Sequence, residues 1–139
     1  MQKRSSSSLI EIKQKNCQHS WRYLIDLNNM NWIEITNESQ LGDVKNLSKT
    51  KPQLIFKHST RCSISSMAKH RLEKGVAPDK IDFYYLDLIK HRNISQKVAE
   101  EFDVSHESPQ VLLIKNGECI YDESHSGITM DEIVERSAA

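Results

Sequence analysis

The chain has 139 residues, 37% of them hydrophobic, which is material for one ordinary globular core and not for two. Lys and Arg total 19 and Asp and Glu total 19, so the formal net charge is zero and no electrostatic excess draws the protein to nucleic acid or to an anionic membrane. Three irregularly spaced cysteines (Cys17, Cys62, Cys119) give neither a disulfide framework nor a zinc site, and no apolar run approaches the ~20 residues that span a bilayer, so a reducing, cytoplasmic location is expected by elimination.

In chain order, residues 1–29 carry four consecutive serines and one short apolar cluster (Trp21, Tyr23, Leu24, Ile25, Leu27). So few apolar side chains do not offset the entropy of ordering the segment, and it reads as a flexible extension to a domain over 30–139. Glu11 and Lys13 break its apolar residues before any secretory core can form. "NWIEI" (31–35) reads as a short strand, and Leu41, Val44 and Leu47 follow at helical spacing behind cap-type residues. After Pro52, "QLIFKH" (53–58) is a strand whose continuous apolar centre suits a buried, parallel position. Beyond Cys62, Ile64, Met67, Ala68, Arg71 and Leu72 recur with helical periodicity up to Gly75.

"IDFYYLDL" (81–88) is rich in β-formers, with Tyr84 and Tyr85 suited to strand packing, and "NISQKVAEEFDV" sets Ile94, Val98, Ala99 and Phe102 on one helical face. "SPQVLLIKNGECIYDES" is a strand, an Asn-Gly turn and a strand. In the tail, Thr129 and Glu132 form a capping box for a last helix. The order βαβαβαββα predicts an α/β domain with a mixed central sheet and helices on both faces.

Cys62 falls between the C-terminal end of a central strand and the start of a helix, where open α/β sheets place their sites. A helix N-terminus offers unsatisfied N–H groups and partial positive charge, which favour the reactive thiolate; Arg61 and His58 are candidates to add to that effect. Ser65, one helical turn on, cannot attack a mixed disulfide as a cysteine would, so the turn reads as a monothiol site in which that hydroxyl can hydrogen-bond the sulfur. Position alone fits equally a small buried cysteine beside a helix-capping turn. Pro109, at the entrance of a strand, implies a cis bond or a tight turn, and the element order brings its loop beside the cysteine turn. Cys119 reads as structural, Cys17 as an exposed thiol, and the six histidines lack metal-ligand spacing, with His58 and His70 alone flanking the site.

"TRCSIS", "SPQVLLIKNGE" and "HSGI" give residues 30–139 a resemblance to the thioredoxin-like superfamily, and "FKHSTRCSIS" with "ESPQVLLIKNGE" resembles more narrowly the YtxJ family of monothiol bacilliredoxins. The resemblance implies a thioredoxin-like fold and removal of bacillithiol, as low-molecular-weight co-substrate, from mixed disulfides on client proteins. Cys62 would be the nucleophile, with Thr60, Arg61, His58 and Ser65 supporting its thiolate, and Ser108 and Pro109 the substrate platform. It implies a monomer with no bound cofactor or metal. Two positions depart from the pattern: Ser63 stands where the family usually has proline, and Phe56 where many thioredoxins carry a buried aspartate, which points to resolution by an outside thiol. Two other readings stay open, a non-enzymatic thioredoxin-like adaptor and a monothiol glutaredoxin-type iron–sulfur carrier, the latter poorly matched by Ser63-Ile64.

Overall fold

The computed structural model describes residues 30–138; the extension read over residues 1–29 lies outside the described residues. The elements in order are β1 (Ile33–Glu34), α1 (Ser39–Leu47), β2 (Gln53–His58), α2 (Ser63–Lys74), β3 (Asp82–Asp87), α3 (Arg92–Phe102), β4 (Gln110–Lys115), β5 (Glu118–Ser124), a 3-10 turn (His125–Gly127) and α4 (Met130–Ala138). The βαβαβαββα order therefore holds, and the first strand is shorter than "NWIEI".

The strands lie in one sheet in the order β1-β3-β2-β4-β5, with β3 parallel to both β1 and β2 and β4 antiparallel to both β2 and β5. All six residues of β2 are buried, as its unbroken apolar centre demands of a central strand. Alternation then divides the core. Ile55, Tyr84, Leu86, Leu112 and Ile114 join Leu41, Val44, Ile94 and Val98 in one cluster beneath α1 and α3. Asn116 and Gly117 both have positive φ (55° and 81°), the backbone that a two-residue turn of this hairpin requires. That turn is tied to the end of α1, where Gly117 N–H donates to Ser48 Oγ at 2.8 Å and Asn116 N–H to Ser48 O at 2.9 Å.

Three local expectations change. Leu47, Ile64 and Met67 follow helical spacing but are exposed, and α2 buries Ser65, Ala68 and Leu72 instead. Ser65, with the polar contacts described below, shares the inward face of α2 with Ala68 and Leu72. At α4, Glu132 N–H reaches Thr129 Oγ1 at 3.3 Å, but the Glu132 carboxylate turns to Arg136 at 2.9 Å, so only half of the expected capping box is made.

Two glycines should respond oppositely to alanine. Gly42, exposed inside α1 with nothing near its missing Cβ, should gain roughly 0.5–1 kcal/mol on Gly42→Ala. At Gly75, a Cβ would fall 2.7 Å from Met130 Cβ, so Gly75→Ala should lose roughly 1–3 kcal/mol. Urea unfolding of the two variants checks both signs.

Candidate active site

His58 ends β2 with its ring held among aromatic neighbours, 5.7 Å from Phe56 and 5.4 Å from Tyr85 between centroids, and Trp32 packs behind both. Trp32 is anchored in turn to α2, where its Nε1–H donates to Glu73 Oε2 at 2.8 Å. His58 Nδ1 lies 2.7 Å from Ser65 Oγ, and Ser59 N–H donates to the same oxygen at 3.0 Å. The hydroxyl has one proton and two lone pairs, so while it accepts from Ser59 it still satisfies Nδ1, and one side chain serves both neighbours. Burial is the first cause that holds His58 below its ordinary pKa, followed by the charge of Lys69, with Asp87 opposing; the ring is accordingly neutral at pH 7.

This clamp starts α2. Cys62 N–H donates to Ser59 O at 3.1 Å, and Cys62 is the N-cap, with extended backbone (φ −110°, ψ 123°) and its carbonyl accepting Ser66 N–H at 3.1 Å. The thiol is partly exposed and makes no capping hydrogen bond, so it stands at the positive end of a 12-residue helix. Thr60 and Arg61 form the exposed turn before it. Ser65 is fully buried, and its hydroxyl is committed to His58 and Ser59 and not, as the spacing predicts, to the Cys62 sulfur, because the buried ring and the strand-end N–H claim it first. His70 is exposed further along α2.

The second loop arrives through the β2–β4 register. Lys57 pairs with Gln110, so the next step sets Pro109 opposite His58. The Ser108–Pro109 bond is cis, and Pro109 O accepts His125 N–H at 3.1 Å. Arg71 of α2 ties the same 3-10 turn from the other side, donating to His125 O at 2.8 Å and Ile128 O at 3.1 Å. Three loops thus converge on one end of the sheet: the cysteine turn, the cis-proline loop and the "HSG" turn. Ser108 Oγ is buried there with no hydrogen-bond partner among the described residues. Exposed Ile64 and Met67 add apolar surface on the first turns of α2.

Cys119 lies elsewhere. It pairs with Ile114, and Ile114 with Gln53, at the opposite end of β2 from His58. Five strand residues put that end roughly 16 Å from His58, far outside disulfide reach of Cys62. Burial pushes the Cys119 thiol up to about 11, and it donates to Tyr121 O at 3.3 Å. Phe56 is fully buried and stacked, so the aspartate-bearing position of many thioredoxins is apolar here.

Sequence reasoning passed over Lys57, although a lysine directly after the apolar run Leu54–Phe56 of a central strand was the available signal. It is fully buried on the α3 face of β2, with Nζ 3.2 Å from His106 Nδ1, and burial lowers its pKa to about 8.

A five-stranded mixed sheet with a cysteine at the N-cap of α2 and a cis-proline across from it defines the thioredoxin fold. The chain is similar to a thioredoxin-fold protein assigned as an oxidoreductase, with 29% identity over 75% of this chain and 91% of that one and a TM-score of 0.67. Thioredoxins from Malassezia sympodialis (21% identity, 78% and 92% coverage, TM-score 0.61) and Trypanosoma brucei brucei (10%, 76% and 87%, 0.61) share the fold. The family model described as monothiol bacilliredoxin BrxC matches residues 33–133, and the chain belongs to that family, with a thiol redox role. Among the described residues no helix is long and apolar enough to cross a membrane.

Lys57 supplies a pH test. Between about pH 8 and its ordinary 10.5, the unfolded chain keeps a proton that the native chain has released, so Lys57 makes stability rise with pH through that window. Lys57→Met should therefore be more stable than wild type at pH 7, by up to about 3 kcal/mol, and the advantage should shrink by pH 10. Urea titrations at the two pH values measure the difference.

Proposed function

We propose that the protein removes bacillithiol, or a similar low-molecular-weight thiol, from mixed disulfides on client proteins, acting as a monomer in the cytoplasm with no bound cofactor. The observation that carries this reading is the pairing of a partly exposed Cys62 at a helix N-cap with a buried, doubly hydrogen-bonded Ser65 one turn later. The first feature leaves the sulfur open to attack a client's disulfide, and the second denies it an internal resolving partner. Family membership supports the same chemistry.

The Cys62 thiolate attacks the small-thiol sulfur of the mixed disulfide. A new disulfide forms between Cys62 and the small thiol, and the client leaves as its thiolate. A second small-thiol thiolate then attacks that disulfide, releasing Cys62 and a symmetrical small-thiol disulfide that carries away the oxidising equivalents. His58 is a positioning residue, holding Ser65 and with it the first turn of α2, while Thr60 and Arg61 border the thiol. The cis-proline loop, Ser108 and Pro109, is the platform for the client, with the Ser108 backbone offered to the client's disulfide.

Cys62→Ser should abolish release of bacillithiol from a client, whereas Cys119→Ser should leave the rate unchanged. Ser65→Ala strands a buried imidazole nitrogen and an N–H, so it should lose roughly 1–3 kcal/mol of stability and turn over more slowly. Intact-mass spectrometry of a bacillithiolated client follows all three. Full activity of Cys62→Ser would contradict the reading, and client binding without release in wild type would favour an adaptor.

A further inference from the structure

Lys57 and His58 point to opposite faces of β2, and the structure offers the α3 face a cavity of its own. It measures about 410 Å³ and is lined by Leu88, Arg92, Ser95, Gln96, Ala99 and His106. Leu88 N–H donates to His58 O at 3.0 Å, so this cavity opens at the same end of the sheet as the cysteine turn, across the sheet from α2. Strand C-terminal ends are where open α/β sheets hold ligands.

Leu88 and Ala99 give the lining an apolar part, and its polar side chains, Arg92, Ser95, Gln96 and His106, all carry donors. Arg92, Ser95, Gln96 and Ala99 are successive positions along one face of α3, and Arg92 brings a guanidinium to its first turn. His106 closes the other side. Its Nδ1 faces Lys57 Nζ at 3.2 Å and Ser95 Oγ at 3.4 Å. A lysine ammonium only donates, so Nδ1 accepts and the ring proton resides on Nε2, leaving an N–H to serve the cavity.

No described residue that lines the cavity is acidic. Behind it the fully buried Lys57 has the His106 imidazole for a contact and no carboxylate among the described residues. A buried cation without a counter-charge is costly, and a carboxylate in the cavity would place a negative charge on the far side of the His106 ring from it. Guanidinium, imidazole N–H, hydroxyl and carboxamide together suit the planar, two-oxygen geometry of that group.

From this geometry we infer that the α3 cavity is a binding site for a small carboxylate-bearing molecule, with Arg92 as its main ligand and His106, oriented by Lys57, as the second. The carboxylate can belong to the small thiol that Cys62 carries or to a free metabolite. Only the first of these depends on the function proposed above.

The full chain should be titrated with succinate at constant ionic strength, following the amide signals of Ser95, Gln96 and His106 by NMR. Saturable shifts are expected, weakened about tenfold or more in Arg92→Ala, whose exposed side chain can be truncated without opening the core, and in His106→Ala, whose fold is checked by urea unfolding because it removes the Lys57 contact. Lys97→Ala, on α3 outside the cavity, should keep the wild-type affinity. A second arm compares release of bacillithiol and of cysteamine, which has no carboxylate, from the same peptide mixed disulfide. If Arg92→Ala raises the ratio of the two KM values about tenfold, the site serves the carried thiol; if succinate binding is lost and the ratio stays, it serves a free carboxylate. Absence of saturable shifts in wild type together with an unchanged KM ratio in Arg92→Ala overturns the site, as does equal succinate affinity in all variants. Loss of the Cys62 reading would show as activity in Cys62→Ser and would leave the succinate titration untouched.

Discussion

The hydrogen bond between Ser65 and His58 organises the reactive end of the molecule. A buried imidazole nitrogen and the part-buried N–H of Ser59 both need a partner, and a single hydroxyl satisfies them. Ser65 turns inward with Ala68 and Leu72, so Ile64 and Met67 are left outside and Cys62 is left at the cap. An apolar Ser65 would forfeit two hydrogen bonds worth more in the low-dielectric interior than Ile64 could return by partial burial.

The same strand end carries a second polar problem, solved differently. Lys57 and His58 are consecutive and fully or nearly fully buried, and alternation sends them to opposite faces. His58 is enclosed by aromatic rings and a hydroxyl and remains neutral. Lys57 meets another imidazole, His106, on a loop that borders solvent. One face is closed and holds the nucleophile's helix in place; the other retains an open cavity with donors on its walls. A central strand that spends two buried positions on titratable groups loses stability there, and such losses cluster where a fold does chemistry.

Much of the fold was legible because local and global preferences agree. The continuous apolar run at 53–58, the Asn-Gly turn between two β-rich segments and the spacing of Ile94, Val98 and Phe102 each have one low-energy solution, and the structure adopts it. The failures lie where apolar spacing was read without its polar neighbours. Leu47 and Ile64 recur at helical intervals, but periodicity says only that residues share a face, not which face turns inward. At Thr129, the capping pattern was right for the hydroxyl and wrong for the glutamate, which found Arg136 within its own helix.

For the site, the sequence by itself determined the chemistry on offer: a single cysteine at a strand-to-helix junction, a serine where a second thiol would stand, and a proline at a strand entrance. These are covalent identities and short-range spacings, which survive without knowing how the chain folds. Only the tertiary structure decided what each could reach. Strand pairing brought Pro109 across from His58 and placed Cys119 at the far end of the sheet; burial turned Ser65 to the imidazole; alternation carried Lys57 to His106, 49 residues away in sequence. Those contacts follow from register and desolvation, which couple residues distant along the chain and leave no periodic trace in it.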